Sequence, residues 1–91
     1  MKSVSEEALE IINGQRRESY GDARVSFGRL AKLWSPVFGM EVTAKQVCIC
    51  LIQLKIAREI NRSKRDNRVD MIGYVELLDQ LSEEENDGNK S

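Results

Sequence analysis

Between Leu54 and Tyr74 an apolar helical pattern runs into a short basic connector, and the connector runs into a second apolar helix that opens with Asp66 and Asp70. Polar side chains crowd the point where two buried elements meet, which is where a site would be built. The helix before the connector has the clearest start in the chain. Thr43-Ala44-Lys45-Gln46 reads as a capping box, in which Thr and Gln side chains satisfy each other's orphan backbone N–H groups. The helix is expected to reach about Asn61. Val47 to Ile52 is apolar without a break, so the helix is expected to be central and covered on most sides.

The remaining segments fit around this pair. Ser3-Val4-Ser5-Glu6 is a second capping box, followed by Ala8, Ile11 and Ile12 on one face, and predicts a helix from about Val4 to Asn13 ended by Gly14. A polar connector, Gln15 to Gly21, follows. Asp22 is expected to cap a second helix with a core stripe of Phe27, Leu30, Ala31 and Trp34. Pro36 is expected to stop that helix at Ser35. Phe38, Gly39 and Met40 then read as a turn with two apolar anchors. The last helix should open at Asp66 or Asn67, with Val69, Met71, Ile72, Val75, Leu78 and Leu81 supplying its apolar surface. Residues 83–91 hold four acids and one base and are expected to form a disordered acidic tail. The fold class is all-α, a compact four-helix bundle, with one helical domain over residues 1–82.

Ninety-one residues make one domain at most, with a small core. Such chains often gain further burial by association, so a homo-oligomer is expected. A formal net charge of −1 is not that of a nucleic-acid binder. No apolar run approaches the roughly 18 residues that span a bilayer, and Met1-Lys2-Ser3 leads straight into charged residues, so neither membrane nor leader is expected. Cys48 and Cys50 point about 200° apart around a helix. They can neither bridge nor share a metal, and are expected to be buried thiols in a cytosolic protein.

The chain has no histidine and shows no nucleophile motif, phosphate loop or dinucleotide fingerprint. Carboxylates, arginines and tyrosine remain. Lys55 to Arg68 holds six basic and two acidic residues. Arg58, Arg62, Lys64, Arg65 and Arg68, joined by Arg16 and Arg17, could hold phosphate. Alternatively they are a solvated connector whose cations suit the preceding helix's C-terminal dipole. Asp66 and Asp70 share a helix face, as do Glu76 with Asp79 and Glu7 with Glu10. Paired acids can hold Mg²⁺. Alternatively Asp66 caps the helix and Asp70 pairs with Arg58 or Lys55. Gly73 in mid-helix calls for a close helix crossing or a ligand. Trp34 and Phe38 read as core rather than a stacking platform.

The residues Arg17, Ser19-Tyr20-Gly21-Asp22, Phe27, Ala31-Lys32-Leu33-Trp34-Ser35, Leu54-Lys55-Ile56-Ala57-Arg58, Lys64-Arg65-Asp66-Asn67 and Val69-Asp70-Met71-Ile72-Gly73-Tyr74 occur together in that order. In this the chain resembles an uncharacterised family of short phage and prophage proteins, over about Ala8 to Leu81. The resemblance implies a phage accessory protein acting in the host cytoplasm. The chain is more distantly similar to nucleotide-modification-associated phage domains and to MazG-like all-α nucleotide pyrophosphohydrolases. The latter bind Mg²⁺ through a Glu-x-x-Glu helix followed by a Glu-x-x-Asp helix, and the helix Ala44 to Asn61 lacks such a pair.

Three functions follow as expectations. The first is a non-enzymatic module for a nucleotide or other phosphorylated ligand, held by Arg17, Tyr20, Lys55, Arg58, Lys64, Arg65, Asp70 and Tyr74, with no cofactor beyond Mg²⁺. The second is an interaction module that binds and modulates a host or phage protein. In that case Arg58, Asp66 and Asp70 tie the connector to the bundle. The third is a Mg²⁺-dependent nucleotide hydrolase.

Overall fold

The structure, a computed structural model, describes residues 1–14 and 22–89. The side chains at 23 and 84–89 are outside that description. Four helices make up the described residues: α1 (Val4–Asn13), α2 (Ala23–Phe38), α3 (Ala44–Asn61) and α4 (Arg65–Asn89). The all-α fold is therefore as the sequence predicts. The acidic tail expected from residue 83 falls mainly on residues 84–91, outside the described side chains.

Local chemistry sets the boundaries. Ser3 Oγ accepts from the Glu6 N–H at 3.1 Å and starts α1. Gly14 ends it, where a Cβ would lie 2.7 Å from the Glu10 carbonyl oxygen, too close for any other residue without a backbone shift. The Thr43–Gln46 capping box forms in full: Gln46 N–H donates to Thr43 Oγ1 at 3.2 Å, and Thr43 N–H to Gln46 Oε1 at 2.9 Å.

Pro36 does not stop α2, which continues through it to Phe38 and ends on Gly39 in the left-handed region at φ 66°. Proline removes one backbone donor, and Ser35 supplies local bonds beside it. Its hydroxyl donates to the Ala31 carbonyl at 2.7 Å and accepts from the Val42 N–H at 2.9 Å. The extra turn carries Phe38 and Met40 out of the core. Both are more than 60% exposed, so neither is an anchor. Trp34 is half-buried against the core, with the Phe38 ring set edge-on at 6.4 Å.

The order of packing is α1 on α4, α4 on α3, and α3 on α2. The core joins Phe27 and Ala31 of α2, Val47 and Cys48 of α3, and Leu81 of α4. α3 is less covered than its unbroken apolar run predicts. Val47 and Cys48 are fully buried, whereas Ile49, Cys50, Leu54, Ile56 and Ile60 are exposed. Among the described residues α2 and α4 are the helices that pack extensively on it, so an all-round apolar helix keeps one side open. Cys48, by contrast, is inert: its Sγ donates to the Tyr74 carbonyl at 3.1 Å, and burial pushes the thiol up to about 11. Among the described residues, no helix is long and apolar enough to cross a membrane.

Candidate functional site

α1 and α2 make no extensive contact with each other. The gap between them is a cleft of about 490 Å³, floored by α4 and closed at its base by Leu51 of α3. Its walls are apolar for the most part: Ile11 and Ile12 from α1, Phe27 and Leu30 from α2, Val69 and Leu77 from α4. A few polar groups converge on it, namely Asn13, Asp22, Arg24, Ser26, Asp70, Tyr74 and Gln80. An apolar pocket of this size with sparse, directed polar groups is the usual form of a small-molecule site.

Four of these groups are fixed by interactions with their neighbours. Asp22 caps α2 by accepting from the Arg24 N–H at 2.8 Å. The Arg24 fork returns onto the same carboxylate, Nε at 3.1 Å and Nη2 at 2.8 Å. Asp70 pairs with Lys55 across the α3–α4 contact, Nζ to Oδ2 2.7 Å, with both side chains under 15% exposed. Tyr74 lies one turn further along α4, its ring 6.2 Å from that of Phe27 and tilted by 47°. Gly73 is buried on the same face, and an added Cβ would sit 3.5 Å from Ile12 Cδ1. That is an ordinary contact, so the α1–α4 crossing alone does not demand glycine. The missing side chain also leaves the cleft floor open.

The residues singled out from sequence are thus divided. Asp70 and Tyr74 line the cleft, and Lys55 braces Asp70. Arg65 instead secures α1: its Nη1 lies 2.8 Å from Glu7 Oε2, an ion pair without hydrogen-bond alignment, and its Nη2 donates to the Lys2 carbonyl at 2.8 Å. Lys64 is exposed and uses its backbone N–H. Arg58 is exposed, with no side-chain partner among the described residues. Arg17 and Tyr20 lie outside the described residues. The connector that carries them leaves α1 and rejoins α2 at Asn13 and Asp22, both on the cleft rim. Of the acid pairs, Glu10 meets Lys2 and Glu7 meets Arg65. Among the described residues, no three His, Cys, Asp or Glu side chains gather as a metal site.

The α3–α4 connector is organised by Glu59, a residue that charge counting alone passes over. Oε1 accepts from the Lys64 N–H at 2.9 Å and from Asn67 Nδ2 at 3.2 Å. Oε2 accepts from the Ser63 hydroxyl at 3.0 Å and from Arg68 Nη1. Asn67, buried at 7% exposure, also donates to the Arg62 carbonyl. α4 accordingly opens at Arg65, one residue earlier than expected, because a side chain from the preceding helix serves its first turn.

The Lys64 backbone N–H first, then Asn67, Arg68 and Ser63, hold the Glu59 carboxyl at about 2, against an ordinary 4.5. A depressed carboxyl gives stability that is complete above its unfolded value and lost as pH falls toward its folded value. Acid titration of the fold is therefore expected to weaken it between pH of about 4.5 and about 2. Glu59→Gln should flatten that slope in the same window, measured by denaturant unfolding at each pH. An unchanged slope would remove Glu59 from its central place.

The helices and cleft define a small all-α protein with an interhelical cleft. The chain belongs to the family described as Domain of unknown function (DUF6378), whose model matches residues 3–82. It is similar to the Gene 55 protein of Mycobacterium phage L5, 44% identical over 87 residues, which are 91% of this chain and 56% of the relative. It is also similar to the Gene 55 protein of Mycobacterium phage D29, 34% identical over 88 residues, 96% of this chain and 58% of the relative. The chain thus spans a little over half the length of these curated relatives. No solved structure matches it. The phage family expected from the sequence is the family found.

Proposed function

We propose that the chain is a non-enzymatic phage accessory module that binds a nucleotide, or another phosphorylated compound with a ring, in the cleft between α1 and α2. The observation that carries this reading is the cleft itself, about 490 Å³, largely apolar, with Asp70, Tyr74 and Arg24 in its lining. Its size suits a ring system, and apolar walls with few directed polar groups favour orientation over chemistry. Tyr74 is the group for a ring, and Asp70, fixed by Lys55, is the acceptor for ring or ribose donors. Arg16, Arg17 and Tyr20 lie in the sequence between α1 and α2, and arginine forks are the side chains for phosphate.

A thermal-shift panel of mono-, di-, tri- and cyclic nucleotides, with and without Mg²⁺, tests this. A ligand at a hundred times its Kd stabilises by about 2.7 kcal/mol. In a domain of this size that raises Tm by roughly 10 °C or more, at about 4–8 °C per kcal/mol. Leu30→Trp, which fills the cleft, should abolish the shift. A flat panel overturns the reading. The second reading, a module that engages a host or phage protein, is favoured by a different observation. Leu33, Val37, Phe38 and Met40, around the end of α2, are each more than 60% exposed.

A further inference from the structure

The outer face of the α3–α4 hairpin carries an apolar seam, and among the described residues no helix covers it. On α3, Ile49, Ile52, Ile56 and Ile60 recur at spacings of three, four and four, the pattern of a helix-packing seam. Ile52 is half-buried, whereas Ile49, Ile56 and Ile60 are 40%, 45% and 82% exposed. On α4, Ile72 and Val75 are 38% and 53% exposed. The two rows lie on one side of the hairpin. Glu59, seven residues beyond Ile52 and so on the same flank of α3, binds Arg68, and Arg68 stands one and two turns ahead of Ile72 and Val75 on α4. The cleft uses other faces of α4, through Val69, Gly73 and Gln80.

We infer that this face is an interface with a second copy of the chain, two hairpins packing antiparallel about a two-fold axis into a four-helix layer. Three features point to a second copy. Between Ile49 and Ile60 the α3 row itself carries no charge, and the Glu59 and Arg68 on its flank neutralise each other, so nothing in it opposes an identical face. α3 is 18 residues long, about 27 Å. Two helices side by side make the face roughly 20 Å wide. That is about 540 Å² on each copy, so a pair would bury just over the roughly 1,000 Å² in all that a specific interface needs. Finally, the ends of the hairpin are oppositely charged. Arg62 and Lys64 are exposed at the connector, and Asp79 and Glu83 are exposed toward the other end, against a half-buried Lys45. Antiparallel pairing sets the basic end of one copy beside the acidic end of the other. Parallel pairing would set like on like. Helices crossing in this way bury their apolar rows as in a four-helix bundle.

Sedimentation equilibrium of the full chain tests the inference independently of the cleft. A dimer is expected. Ile56→Glu, which places a charge in the seam twice, should weaken it roughly a hundredfold while the far-ultraviolet helical signal is kept, since Ile56 is already half in water. Arg62→Glu and Asp79→Lys should each weaken the dimer, and the two together should restore it. A monomer at about 100 µM, or a dimer that tolerates Ile49→Glu with Ile56→Glu, overturns the interface. A double charge variant no tighter than either single one overturns the antiparallel arrangement. The nucleotide panel reads the opposite side, so loss of either result leaves the other to stand or fall alone.

Discussion

Asp70→Ala is expected to lower stability by about 3 kcal/mol, which in a domain of this length is a fall in Tm of roughly 12–24 °C. The reason is the charge left behind. Lys55 Nζ sits 2.7 Å from Asp70 Oδ2, and the two side chains are 14% and 12% exposed. Removing the carboxylate strands an ammonium between α3 and α4 with little water to solvate it. The pair need not favour the fold greatly over an apolar one, because desolvating two ions offsets most of their attraction. Lys55→Met with Asp70→Leu should therefore recover most of the loss. Equilibrium unfolding in urea separates the cases. If Asp70→Ala alone unfolds like the parent chain, the pair is not buried in solution. The double variant has a second use. It restores the bundle without restoring the cleft's carboxylate, so a nucleotide shift that stays absent in it would assign Asp70 to the ligand rather than to the fold.

Much of the fold was legible because local signals and the global arrangement agree. Ser3 and Thr43 cap the helices they were expected to cap, and Gly14 and Asp22 bound theirs. These are interactions within four residues, and sequence spacing carries them. Pro36 was misleading for a related reason. Proline biases the residue before it without forbidding the helix, and the deciding bonds run from Ser35 to Ala31 and to Val42, the second seven residues away. The candidate site was legible only in part. Asp70 and Tyr74 reach the cleft because they share a helix face with Gly73. Charge alone groups Arg58 and Lys64 with them, but charge says nothing about direction around a helix. Glu59 was the opposite case, an acid among bases whose partners, Lys64 and Asn67, lie beyond a helix end. A three-residue connector was the available signal: across so short a link Glu59 reaches the Lys64 N–H just before the next helix and the Asn67 and Arg68 side chains in its first turn. The cleft itself could not be read, since it exists where α1 and α2 fail to meet.

Phe27→Ala is expected to be the most damaging single truncation in the core, at about 3 kcal/mol or more. Phe27 is 7% exposed and ties together parts that otherwise have few links. Its ring packs with Ala31 on its own helix, with Val47 and Cys48 of α3 in the same cluster, and against Tyr74 of α4 at 6.2 Å. α2 is held to the bundle chiefly through α3, so this side chain is one of the few that reach α4 across the cleft. Deleting it removes apolar burial and leaves a void that opens into the existing cleft, where the packed surroundings recover only part of the loss. Phe27→Leu, which keeps most of the volume, should cost less than about 1.5 kcal/mol. The contrast is the informative measurement. Comparable losses for Ala and Leu would mean that the aromatic contact with Tyr74 dominates, and Tyr74→Phe should then be neutral while Tyr74→Leu reproduces the loss. A large difference would mean that volume dominates. In that case a ring-bearing ligand entering the enlarged cleft of Phe27→Ala should restore part of the lost stability, giving a larger shift in Tm than it gives the parent chain.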